Sequence, residues 1–172
     1  MRVITRPAVG VLSIRGRQMI QLSRILLPTD FSKYSGEATK YACALAEQFD
    51  ATLHLLHVVP NQDIMMFDFG ISLEMAERLD HIRQAAQESL GKLLDAEWAE
   101  GRTVVEAVEV GVTFVEILQY AKREEIDLIV IGTHGRTGLA HALMGSVAER
   151  VVRKSPCPVL TVRPEGHQFV MP

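Results

Sequence analysis

Five short apolar runs punctuate this 172-residue chain: "RILLP" (Arg24 to Pro28), "TLHLLHVV" (Thr52 to Val59), "TVVEAVEV" (Thr103 to Val110), "DLIVIG" (Asp127 to Gly132) and "PVLTV" (Pro158 to Val162). Between them lie stretches whose apolar residues recur at helical spacing. The first helix carries Ala38, Tyr41, Ala42, Leu45, Ala46 and Phe49 on one stripe, with Ser32 as its expected N-cap. A long second helix carries Leu79, Ile82, Ala86, Leu90, Leu93 and Leu94, and Gly101 ends it. Thr113 with Glu116, and Ser146 with Glu149, read as capping boxes opening the third and fourth helices. Strand alternating with helix requires parallel strands joined by right-handed crossovers. The expected fold is therefore α/β, a Rossmann-like open twisted five-stranded parallel sheet with helices on both faces. Near-continuous apolar content marks the second run as a covered strand, whereas Glu106 and Glu109 mark the third as an edge.

In such sheets a ligand sits beyond the carboxyl ends of the strands, where strand order reverses. With the order 3-2-1-4-5, strands one and four meet there. Their exits, "PTD" (Pro28 to Asp30) and "GTHG" (Gly132 to Gly135), then face each other across one crevice. The segment after the fourth strand adds Gly138 and Gly145 and runs into a helix at Ser146. Glycine admits a bulky anion close to the backbone, and a helix N-terminus supplies unpaired N–H groups and a positive dipole end. Gly145, Ser146 and Val147 offer both, and Arg136 adds a positive charge. The same residues also fit a plain turn followed by a capping box.

Composition removes several classes. The net charge of −3 gives no general attraction to nucleic acid, and no apolar run approaches the roughly 18 residues that span a bilayer. Cys43 and Cys157 stand far apart and in no metal-ligand pattern, which fits a reducing cytoplasm. Cys157 reads as a packed thiol. His54 and His57 in "HLLH" fall on opposite faces of a strand, so they cannot share a metal ion. His134 and His141 read as loop histidines, because no nucleophile stands at triad spacing. Met65, Met66, Phe67 and Phe69 form either a lid, a partner surface or packing for the long helix. Residues 1–20 hold Arg2, Arg6, Arg15 and Arg17 and no acid. They read as a flexible extension, with a targeting segment or a true start at Met19 as alternatives. Residues 165–172 read as a tail flanking a domain over 21–164.

The spacing of Gly132, Gly135, Gly145 and Ser146 (glycine, two residues, glycine, nine residues, glycine, serine) resembles the nucleotide-binding signature of the universal stress protein family, in its ATP-binding branch. "ILLPTDFS", "LLHVV" and "SPCPVLTV" resemble the family's first, second and closing strands, so the likeness spans about Ser23 to Arg163. It implies the strand order 3-2-1-4-5 and a homodimer paired through the last strand. By position it implies Asp30 as the polar contact to the nucleoside, with Pro28, Thr29, Val58 and Ile131 around the adenine. Gly132, Gly135, Gly145, Ser146 and Val147 would hold ribose and phosphates, and His134 would be part of the wall. ATP with Mg2+ is the implied ligand, with turnover slow where present and a role in stress tolerance. The lysine-bearing Walker A pattern is absent, and Asp30 is the only obvious acid at the crevice. The expected function is thus a cytoplasmic nucleotide-binding regulator with an unidentified protein partner. A nucleotide-independent interaction module and a slow ATP hydrolase are the alternatives.

Overall fold

Every apolar run becomes a strand. In the computed structural model, which describes residues 21–33, 35–60, 73–133 and 144–163, the strands are β1 (Arg24–Pro28), β2 (Thr52–Pro60), β3 (Val104–Gly111), β4 (Leu128–Gly132) and β5 (Val159–Val162). They form one parallel sheet in the order β3-β2-β1-β4-β5. The central strand is buried along most of its length: Ile25, Leu26 and Leu27 are fully buried. The edge strand β3 carries Glu106 and Glu109, which pair with Gln87 and Arg123.

The helices are α1 (Gly36–Phe49), α2 (Leu73–Leu90), α3 (Ala96–Ala99), α4 (Thr113–Arg123) and α5 (Ser146–Lys154). They cover both faces because alternate strand residues point to opposite sides. On one face Ile25, Leu27, Leu53 and Leu55 meet Ala38, Ala42 and Ala46 of α1 and Leu90 of α2. On the other, Leu26, Leu56, Ile129 and Ile131 meet Ile117, Tyr120 and Ala121 of α4 and Ala148 and Val151 of α5. No helix among the described residues is long and apolar enough to cross a membrane.

Helix boundaries depart from expectation in a consistent way. Ser32 does not cap α1; the helix begins at Gly36 behind Ser35. Thr113 and Ser146 are the first helical residues rather than caps, so neither capping box forms: Val112 and Gly145 occupy the cap positions. The long second helix stops at Leu90, and Asp95, accepting from the Glu97 N–H at 2.8 Å, opens the short α3. Gly101 does follow a helix end in the left-handed conformation, at φ 75°, but the helix it follows is α3. Tyr41 and Ile82, expected on buried stripes, are exposed. Both expected tails and the segment holding Met65, Met66, Phe67 and Phe69 lie outside the described residues.

The two histidines of β2 do lie on opposite faces. His54 meets Tyr120 of α4, with Nδ1 and Oη hydrogen-bonded at 3.0 Å. His57 reaches the other way, toward the turn after β1. Burial holds His54 below the ordinary histidine value and pushes Tyr120 up to about 12. Cys157 is half-buried against the α4/α5 face, and burial raises its thiol, as a packed cysteine requires.

Candidate functional site

The early end of the β1/β4 ladder has a local cause. Along β1, backbone groups alternate between neighbours: the Thr29 N–H donates to Leu56 of β2 at 2.9 Å, and the Arg24 carbonyl accepts from Asp127 at the start of β4 at 2.9 Å. Pro28 therefore turns its nitrogen toward β4, and that nitrogen has no hydrogen to donate. The β1/β4 ladder runs only over Ile25↔Leu128 and Leu26↔Ile129. On β4, Ile129 and Thr133 donate to β5 at 3.0 and 2.8 Å. By the same alternation, the polar groups of Gly132 face the gap that Pro28 leaves.

Two helix N-termini follow the strands that flank this gap. α1 follows β1 and α5 follows β4, and neither has a side-chain cap. Ser35, at the cap position of α1, spends its hydroxyl on the Ser32 carbonyl at 2.7 Å. Gly145, at the cap of α5, has no side chain, and Glu149 turns its carboxylate to Arg153 at 3.4 Å instead of back to the helix end. The first-turn N–H groups of α5 thus have no intrahelical acceptor and, among the described residues, no side-chain one. Both ends of the segment preceding α5 are tied together, since the Gly145 N–H donates to the carbonyl of buried Thr133 at 2.7 Å.

The turn from β1 into α1 is built from its own side chains. Asp30 accepts from the Ser32 N–H at 3.0 Å, and Thr29 Oγ1 accepts from the Phe31 N–H at 3.1 Å. Phe31 is left-handed, with φ 61°, a conformation costing a non-glycine residue roughly 1–2 kcal/mol. Its ring stacks on His57, with centroids 4.5 Å apart. The Ser32 hydroxyl is buried and without a hydrogen-bond partner among the described residues.

Of the residues expected here, Val58, Ile131 and Val147 belong to one apolar cluster together with Met144 and Ala148. Pro28 and Thr29 are buried at the β1 exit, and Asp30 is half-buried beside them. Gly132 ends β4, while Gly145 and Ser146 open α5. Gly135, Arg136, His134 and His141 lie outside the described residues. Sequence reasoning missed His57, Phe31 and Ser35. A histidine whose partner is a backbone carbonyl 28 residues away leaves no motif, and nothing in "TDFS" marks a left-handed phenylalanine.

Comparisons with known proteins agree with this architecture. The model of the universal stress protein family matches residues 21–163. Universal stress protein MJ0531 of Methanocaldococcus jannaschii is 39% identical over 142 residues, covering 81% of this chain and 81% of that protein. Universal stress protein YxiE of Bacillus subtilis is 33% identical over 146 residues, covering 82% of this chain and 99% of that protein. Among solved structures, that of MJ0577 superposes with a TM-score of 0.74 at 30% identity, covering 86% of this chain and all of that one. A universal stress protein in complex with cAMP, 22% identical, shares the fold with a TM-score of 0.62 over 84% of this chain and 99% of that one. A family match over nearly all the described fold, with relatives above 30% identity aligned along most of both chains, has one meaning: the chain belongs to the universal stress protein family.

Proposed function

We propose that the chain binds an adenine nucleotide, ATP with Mg2+, in the β1/β4 crevice and acts as a nucleotide-responsive regulator. One observation carries the reading: the gap that Pro28 opens is flanked by two helices whose N-termini have no side-chain cap. Unpaired N–H groups and the positive dipole end suit the phosphates. Pro28, Thr29, Val58 and Ile131 would border the base, with Asp30 as the polar contact to the nucleoside. Gly132, Gly145, Ser146 and Val147, with Gly135 and Arg136 of the intervening segment, would hold ribose and phosphates. Magnesium would be carried in by the phosphates and water, its usual manner of binding. The solved relative in complex with cAMP accords with an adenine nucleotide on this scaffold.

The reading extends to a cytoplasmic homodimer paired through β5, with the nucleotide state passed to a protein partner. Calorimetric titration of nucleotide-free protein with ATP and magnesium tests the core of it. Saturable binding near one site per chain supports the reading. No heat at millimolar ATP overturns it and leaves an interaction module on the same fold. Turnover well above trace level, lost in Asp30→Ala and Ser146→Ala, would instead identify an ATP hydrolase.

A further inference from the structure

We propose that His57 is a positioning residue for the nucleotide site, gripping the chain on both sides of Asp30. The inference rests on the nucleotide reading for its functional half. His57 is buried, with 8% exposure, on the face of β2 opposite Leu56 and Val58. His57 uses both its polarity and its flat face. Nδ1 lies 2.8 Å from the Thr29 carbonyl, which can only accept, so Nδ1 carries the hydrogen and donates. The N–H of the same Thr29 donates to Leu56, so β2 holds Thr29 at both its backbone groups. The imidazole face meanwhile stacks on Phe31, with 28° between the ring planes, and Phe31 is the residue in the left-handed conformation. One side chain therefore engages residue 29 by a hydrogen bond and residue 31 by stacking, and Asp30 lies between. An aliphatic residue could fill the space, but it would leave a buried carbonyl without this donor and Phe31 without its stacking partner.

Three variants of the 172-residue chain separate these contributions. His57→Asn keeps a donor near the Nδ1 position and loses the ring, His57→Phe keeps a ring and loses the donor, and His57→Ala loses both. Leu53→Val, in the same strand and away from the turn, is a stability control. Each is titrated with ATP and magnesium, and amide hydrogen exchange over residues 29–33 is followed without nucleotide. His57→Ala should lose about tenfold in ATP affinity and exchange about tenfold faster in the turn, the usual scale for one buried hydrogen bond. His57→Asn should recover most of the turn protection and most of the affinity. Leu53→Val should lower the urea midpoint with affinity and turn exchange within about twofold of the parent. Affinity and turn exchange unchanged in His57→Ala, or falling only as far as in the stability control, would overturn the proposal. Failure of the parent to bind ATP would overturn the nucleotide reading, and turn exchange would then decide the clamp alone.

Discussion

Gly145 stands at φ −70° and ψ 153°, backbone that any residue adopts. Its lack of a side chain at the head of α5 is therefore the property to test, not its flexibility. Gly145→Val should fold, at a cost of about 1 kcal/mol for a poorer cap. It should lose ATP affinity by more than tenfold, because a branched side chain would crowd the first-turn N–H groups. Normal binding by the folded variant would remove the phosphates from this helix end. His54 offers a pH test. Its folded pKa is lowered by burial, so the unfolded chain takes up a proton first as pH falls below the ordinary value of 6.5. Stability conferred by the neutral ring is complete above that value and is lost as pH falls toward the folded pKa. Urea midpoints measured from pH 7 to 5 should fall less steeply in His54→Gln than in the parent. Equal slopes would mean that His54 does not contribute to the pH dependence.

At the scale of elements, what was legible was what burial writes into composition. "RILLP" is apolar because β1 is covered on both faces, and Glu106 and Glu109 are present because β3 is an edge. The expected caps do not form because the helices start at other residues, and Glu149 turns to Arg153. Ser32 donates its N–H to Asp30 and accepts from Ser35, and Thr113 and Ser146 each sit one residue inside the helix. The break after Leu90 was written in Gly91 and Asp95, but the leucines beyond it kept the apolar spacing going. The early end of the β1/β4 ladder was legible in the proline of "PTD". The contacts of His57 with Thr29 and Phe31 were not, because one joins residues distant in sequence through a backbone atom. The turn into β3 yields a prediction of its own: Gly101→Ala, at φ 75°, should lower stability by about 1 kcal/mol. An unchanged denaturation midpoint would show that the turn relaxes into another conformation.

For the whole molecule, the two cores lie on opposite faces of one sheet, and the short β1/β4 ladder marks where strand order reverses. β1 and β4 each contribute to both, so a ligand bound as proposed would contact the ends of strands that both cores hold. The proposed dimer belongs to this scale. Solution scattering at micromolar concentration should return twice the 19.1 kDa chain mass. A monomer mass would remove the pairing through β5, and a charge placed at Leu160 should shift the balance toward single chains.

The inequality of the two sheet edges has a further consequence. β3 is guarded by carboxylates held in place by Gln87 and Arg123, whereas the apolar β5 carries no acid at all. A body with one receptive edge has a valence of one. Pairing of that edge with its own copy, if it forms as proposed, would be self-terminating: each molecule would use the one receptive edge among its described strands, leaving no such end to grow a fibre. The same carboxylates that mark an edge strand would thus set the upper limit on assembly. Replacing Glu106 and Glu109 by threonine would raise that valence to two, turning a closed pair into the start of a polymer.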